Sequence, residues 1–379
     1  MRILLISNLF PPDIGGPATH ISRLAGELFA RGHRVRVIVC AEDPRLPGPE
    51  PYPVRRVSRR LPVPLRFALV FIWTWLTALF SDVVYVNGLE LPATAGARLA
   101  FCPAILKVVG DFSWEYAIRH VWTNDGIDLY QSSRYPLRVE LVRLAQRLYC
   151  RLAGRVVVPS NYLRGLVGGW GVSESRITVV NNALVSAPHD RLPAAEIRAN
   201  LGVTGPLVLT VARLYPWKQV DDLIRMAPRF GRGATLVIVG DGPERRSLES
   251  LAGALDAPVV FVGAVDQEDV HSYLAAADVF VLNTRYEGMS HVVLEARRAG
   301  APIVTTDVGG NLEILDSGEN ALLVPYGDHP AMVAAVNRLL EESELAGSLR
   351  DGARRGMDHY SWDRQVAETL QLLRSAARV

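Results

Sequence analysis

The chain alternates short apolar runs with longer stretches in which apolar positions recur every three or four residues. An unbroken apolar run of strand length suits a strand buried on both faces, and such strands belong to parallel sheets covered by helices. In the first half this predicts strands at Arg2–Ser7, Arg34–Cys40, Val83–Val86, Ala104–Val109, Arg155–Pro159 and Ile177–Val180. A second series runs Leu207–Val211, Thr235–Val239, Val259–Val262, Val279–Leu282, Ile303–Thr305 and Ala321–Val324, separated by helical patterns such as Val220–Phe230 and Arg245–Ala254. Between the series lies a polar, proline-containing stretch from Asn181 to Pro206, within which Ala194–Leu201 reads as a short helix. The expected fold class is α/β: two Rossmann-like, doubly wound domains, residues 1–185 and 186–360, facing across a cleft, followed by a terminal helix in 361–379. Ligands of such sheets bind beyond the C-terminal ends of the strands.

Length and composition agree with this division. The 379 residues exceed one ordinary core, and a composition 49% hydrophobic and 21% charged is that of a folded globular chain. The net charge of +2 carries no global signal for nucleic acid. The basic residues are almost all arginine. Lysine occurs only at Lys107 and Lys218, which draws attention to both. Cys40, Cys102 and Cys150 form no CxxC pair, so buried thiols in a reducing compartment are expected. The first apolar run turns at once into Ser7-Asn8, too short for a signal peptide, and a cytoplasmic location is the expectation.

One segment stands apart. Phe67 to Ser81 carries no charge but holds Phe67, Phe71, Trp73, Trp75 and Phe80. It is shorter than the ~20 residues a spanning helix needs. Preceded by Arg55, Arg56, Arg59, Arg60 and Arg66, it suits an anionic membrane surface on the inner face. A helix buried against the sheet would carry the same pattern.

The chemistry concentrates after strands. Glu287-Gly288-Met289-Ser290-His291-Val292-Val293-Leu294-Glu295 follows the run Val279–Leu282 and enters a helical pattern. The amides of Gly288, Met289 and Ser290 then lie near a helix N-terminus, which favours a phosphate, and the two carboxylates suit sugar hydroxyls. A capping acid and a solvated glutamate would read alike. Arg213-Leu214-Tyr215-Pro216-Trp217-Lys218 directly follows Leu207–Val211 and suits a diphosphate clamp, with arginine binding bidentately and lysine as a point charge. Pro11-Pro12-Asp13-Ile14-Gly15-Gly16 lies between the first strand and the helix holding His20. Paired glycines there allow close backbone approach, although the GxGxxG dinucleotide fingerprint is absent. Gly240-Asp241-Gly242-Pro243 reads as a strand-to-helix turn, and Gly309-Gly310-Asn311 as a loop lining the ligand site. No DxD pair and no His/Cys cluster with metal spacing is present, so no metal cofactor is expected.

Together these residues resemble the retaining glycosyltransferases of family 4, which have the GT-B fold. The resemblance spans nearly the whole chain and rests on Gly15-Gly16 with His20, Arg213 with Lys218, Gly240-Asp241-Gly242-Pro243, Glu287 with Glu295, and Gly309-Gly310. It implies that Gly15 and Gly16 approach the donor diphosphate and that Arg213 and Lys218 bind it as the leaving group. It places Glu287 on hydroxyls of the transferred sugar, Glu295 on the ribose, and Gly309 and Gly310 near the sugar. The helix near Trp362–Ala377 would cross back onto the first domain. Many members carry a histidine at the end of the run Ala104–Val109. This chain has Gly110-Asp111 there, which makes Asp111 the candidate on that side, with a helix cap for Trp114–Arg119 as its other reading.

The expected reaction moves a hexose-type sugar from a nucleotide-sugar donor to a glycan or lipid-linked acceptor in cell-envelope polysaccharide or glycolipid synthesis. It needs no metal and no covalent nucleophile: Arg213, Lys218 and helix amides offset charge developing on the leaving diphosphate. Rival readings are a nucleotide-sugar epimerase of the same fold, which turns over donor without an acceptor, and a non-catalytic sugar-nucleotide binding protein, which detectable donor hydrolysis excludes.

Overall fold

The computed structural model describes residues 1–13, 16–45, 50–185 and 192–378. They form two compact units. The first is Met1–Ser113, Arg134–Asn181 and Asp363–Val379; the second is Trp114–Ser133 and Asn182–Trp362.

In the first unit seven strands make one parallel sheet: β1 Arg2–Ser7, β2 Arg34–Ala41, β3 Val54–Ser58, β4 Val83–Asn87, β5 Ala104–Lys107, β6 Arg155–Val158 and β7 Ile177–Val179. Their order is β3-β2-β1-β4-β5-β6-β7. Strand β3 is absent from the sequence expectation for a physical reason. Val-Arg-Arg-Val-Ser holds only two apolar residues, and as an edge strand it pairs with β2 alone. The helix Val63–Ala78 covers most of the segment that suited either a core or a membrane surface, and it is buried on one side only. Val70, Thr74 and Ala78 are buried, whereas Leu65, Ile72 and Leu76 on the other side are exposed. Among the described residues no helix is long and apolar enough to cross a membrane. The terminal helix Trp362–Ala376 is tied into this unit by Gln365, whose Nε2 donates to the Asn181 carbonyl at 2.6 Å.

The second unit has a six-stranded parallel sheet of β8 Leu207–Val211, β9 Thr235–Val239, β10 Val259–Gly263, β11 Val279–Leu282, β12 Ile303–Thr306 and β13 Leu322–Val324, in the order β10-β9-β8-β11-β12-β13. Alternate residues serve two cores. Val208, Ile238 and Val281 pack under the helices Val220–Met226, Arg245–Ala254 and His329–Glu341. Leu209, Val237 and Leu282 pack under Gln267–Ala276 and His291–Ala299. Burial on both faces is why these strands read as unbroken apolar runs. The helix expected over Val220–Phe230 stops at Met226 and tightens into a turn over Ala227–Arg229, where Pro228 has no N–H to continue it.

Both sheets reverse winding direction beside their first strand, at β1 between β2 and β4 and at β8 between β9 and β11. Such switch points are where open α/β sheets bind ligands, beyond the strand C-termini.

Candidate active site

At the switch point of the second sheet, the loop after β8 carries Arg213 and Lys218 and the loop after β11 carries Glu287. Lys218 Nζ donates to Glu287 Oε1, with the two side chains only 16% and 10% exposed. Arg213 is exposed, its Nη2 3.0 Å from the Tyr215 hydroxyl and its guanidinium 4.9 Å above that ring. Tyr215 stacks in parallel on Trp217 with centroids 4.8 Å apart, which stiffens the loop between the two cations. The Trp217 carbonyl accepts from the Arg285 amide at 2.9 Å and from Thr284 Oγ1 at 3.2 Å, so the clamp loop is sewn to the glutamate loop.

Glycines brace both loops. Gly309 has φ +61, and a Cβ there would strike the Glu287 carbonyl oxygen, while the Gly310 amide donates to that same oxygen at 2.9 Å. The 309–310 loop therefore supports the backbone of Glu287. Gly240, at φ +129, lies against the Ala212 carbonyl, and the adjacent Asp241 carbonyl accepts from the Leu214 amide at 3.0 Å. The turn Gly240-Asp241-Gly242-Pro243 thus supports the Arg213 loop in the same way.

Gly288, Met289 and Ser290 lead into the helix His291–Ala299. The Met289 carbonyl accepts from Asn182 Nδ2 at 2.9 Å, and the Ser290 amide donates to Asn311 Oδ1 at 3.1 Å. Glu295 is buried in the helix and accepts from Gln267 Nε2 at 3.1 Å. Burial raises its pKa, and the Gln267 hydrogen bond and the charge of Arg298 only partly oppose this.

In the first unit Gly16 begins the helix Gly16–Ala30, with open space where a Cβ would be; Gly15 lies outside the described residues. His20 Nε2 is 3.3 Å from Lys107 Nζ at the end of β5. Lys107 is buried, and burial pushes its pKa down to about 7, so near neutrality it is shared between ammonium and amine. Motif reasoning gave Lys107 no role; only the rarity of lysine marked it. Asp111 is fully buried ahead of the helix Phe112–Arg119 and accepts from Ser113 Oγ at 2.8 Å and Gln146 Nε2 at 2.9 Å. Gln146 Oε1 in turn accepts from the Ser113 amide at 2.8 Å, so Asp111 is tied into the side chains at the start of that helix. Among the described residues no group of three or more His, Cys, Asp or Glu could hold a metal ion.

Sequence reasoning missed the segment Trp114–Ser133, which groups with the second unit although it lies between β5 and β6. Trp114 is buried 6.1 Å from the Trp217 ring and meets Tyr286 edge-on at 5.4 Å. Arg285 donates to Asn124 through Nη1, at 2.8 Å to Oδ1, and Nη2, at 2.6 Å to the carbonyl. The segment thus packs behind the residues next to Lys218 and Glu287.

Residues 205–342 match the family model described as Glycosyl transferases group 1, and residues 14–185 the one described as Glycosyltransferase Family 4. An uncharacterized glycosyltransferase of Methanocaldococcus jannaschii is 27% identical over 99% of this chain and 98% of its own. The lipopolysaccharide core biosynthesis glycosyltransferase LpsE of Rhizobium meliloti is 30% identical over 64% of this chain and 68% of its own. Among solved structures, Anabaena HepE in complex with UDP and glucose superimposes with a TM-score of 0.78 at 19% identity, covering 99% of this chain and 100% of that one.

Proposed function

We propose, on the premise that this chain belongs to glycosyltransferase family 4, the group 1 glycosyl transferases with the GT-B fold, that it moves a hexose-type sugar from a nucleotide-sugar donor to a glycan or lipid-linked acceptor with retention of anomeric configuration. The observation that carries this is the meeting of Lys218 and Glu287, beside Arg213, at the switch point of the second sheet. Without donor, the ammonium and carboxylate neutralise one another. A sugar diphosphate would separate them, its phosphate oxygens taking Lys218 and Arg213 and its sugar hydroxyls taking Glu287. The cations would then offset charge on the leaving diphosphate, and no metal would be required. Proton transfer to a donor phosphate oxygen on the face of attack would account for retention.

Glu295 would hold the ribose from within its helix. The amides of Gly288, Met289 and Ser290 would lie near the diphosphate, and the Ser290 amide would have to leave Asn311 Oδ1 to donate to it. Gly309 and Gly310 would shape the sugar side, and Gly15, Gly16 and His20 are the donor-binding candidates of the first unit. Asp111, fully buried, fits holding its helix better than touching sugar. HepE binding UDP and glucose supports a nucleotide-sugar donor, and LpsE supports an envelope glycan as acceptor. The exposed side of Val63–Ala78 supports work at the inner face of a membrane.

A panel of UDP-, GDP- and ADP-sugars tests this by thermal shift and by release of nucleoside diphosphate, with product anomers read by NMR. A donor at a hundred times its dissociation constant should stabilise the protein by about 2.7 kcal/mol. The proposal fails if no nucleotide sugar shifts the melting temperature, or if Lys218→Ala turns over donor as fast as the parent.

A further inference from the structure

The site above lies at the C-terminal ends of the strands. A cavity of about 400 Å³ opens at the opposite edge of the first sheet, where Ala104 begins β5 and Gly154 precedes β6. Arg98, Arg151 and Arg176 line it, and no carboxylate does. Arg176 is occupied: its Nε donates to the Gly154 carbonyl at 3.2 Å and its Nη2 to the Arg151 carbonyl at 3.0 Å. Arg98 and Arg151 are exposed, and among the described residues neither guanidinium donates to an acceptor. Each stands in the last turn of a helix, Glu90–Leu99 or Leu137–Leu152, where the dipole tolerates a cation. The dipole does not explain why two such arginines line one cavity, the Arg151 guanidinium lying against Gly171. A phosphate, which accepts from planar nitrogen forks, does.

The surroundings identify the carrier of that phosphate. Phe101, another lining residue, is 80% exposed. Along the helix that ends at Arg151, Leu137, Leu141, Leu144 and Leu148 are 75%, 55%, 59% and 46% exposed. Their 4-3-4 spacing sets all four on one side, while Val139, Gln146 and Cys150 on the other are buried. A contiguous exposed apolar row of this kind marks an interaction surface. An apolar row that runs to a cationic cavity matches an amphiphile with an anionic head. A second copy of the chain fits poorly, because the row carries exposed Arg134 and Arg138 at one end and Arg151 at the other, so either pairing direction opposes like charges.

We propose that Arg98 and Arg151 bind a phosphate group, that this is the headgroup phosphate of an anionic phospholipid, and that Phe101 and the row Leu137–Leu148 lie against the apolar part of the same leaflet. The proposal uses the first unit alone and deepens the membrane reading without resting on any donor or acceptor.

Vesicle flotation of the full chain, with neither donor nor acceptor present, tests it. The chain should float with phosphatidylglycerol-containing vesicles and stay behind with pure phosphatidylcholine. Arg98→Gln/Arg151→Gln should weaken binding about 25-fold, at about fivefold for each arginine near an anionic surface. Leu141→Ser/Leu144→Ser should weaken it as well, with an unchanged melting temperature. Equal flotation with both lipids, or an arginine variant that binds like the parent, overturns the proposal. Inorganic phosphate separates the two sources. If it raises the melting temperature of the parent but not of the arginine variant, while anionic vesicles fail to bind, the cavity takes a free anion and the lipid assignment is wrong. None of these outcomes depends on sugar transfer, so the transferase reading stands or falls separately.

Discussion

Lys218 and Glu287, 69 residues apart in the chain, meet as ammonium and carboxylate where β8 and β11 lie side by side. Both side chains are largely buried, so each serves as the other's counter-charge until a ligand replaces it. Lys218→Met should therefore strand a buried carboxylate and cost about 3 kcal/mol of stability. Adding Glu287→Gln should restore most of the melting temperature but none of the activity. If the double variant melts as low as the lysine variant, the pair is not what that lysine contributes to folding.

Glu287 and Glu295 should have separable kinetic effects. Glu287 pairs with Lys218, which is proposed to hold the leaving group, so its contacts should strengthen as charge develops, and Glu287→Gln should mainly lower kcat. Glu295 sits just over one turn along the helix His291–Ala299, eight residues beyond Glu287, so Glu295→Gln should mainly raise the donor KM. A hydrogen bond to a charged group is worth about 1.5–3 kcal/mol, roughly ten- to a hundredfold. Steady-state kinetics decide it, and identical profiles for the two variants would refute the division of labour.

The raised pKa of Glu295 predicts the sign of a pH effect. A carboxyl whose pKa is higher in the folded chain favours folding when protonated. That contribution is complete below the unfolded value, about 4.3, and is lost as pH rises through the folded value. Glu295→Gln should therefore melt higher than the parent near neutrality, and the difference should close on acidification. Melting curves across the acid-to-neutral range check this. A variant that melts lower at neutral pH would show that the buried carboxylate is stabilised by its partners.

Gly309→Ala should damage activity more than stability. Its positive φ costs a side chain about 1–3 kcal/mol. The added Cβ also presses on the Glu287 carbonyl, displacing the glutamate loop. We expect kcat to fall at least tenfold with the fold intact by circular dichroism; a fully active variant would show that the loop does not depend on this contact.

Because Arg213 and Lys218 supply positive charge where the diphosphate is proposed to leave, rates with and without a chelator should agree. Complete loss of turnover on chelation, restored by a divalent ion, would refute the metal-free mechanism.

Much of this was legible in the sequence, for particular reasons. Strands such as Leu207–Val211 and Thr235–Val239 announced themselves because burial on both faces demands unbroken apolar runs. The edge strand Val54–Ser58, paired on one side only, makes no such demand and was missed. Arg213, Lys218 and Glu287 could be picked out because chemically capable residues directly follow apolar strands.

The sequence by itself determined two α/β units, the strands buried on both faces, and the loops that bear the candidate residues, because local periodicity and turn residues encode these within a dozen positions. Only the tertiary structure decided which loops meet. Lys218 reaches Glu287 because β11, rather than β10, lies beside β8. Trp114 backs Trp217, and Gln267 reaches Glu295, through packing between distant segments. Arg98 and Arg151 line one cavity because two helices end at one sheet edge. Burial is likewise set by all the neighbours together: Lys107 titrates near neutrality and Glu295 above the usual carboxylate range because of surroundings that no local stretch of chain contains.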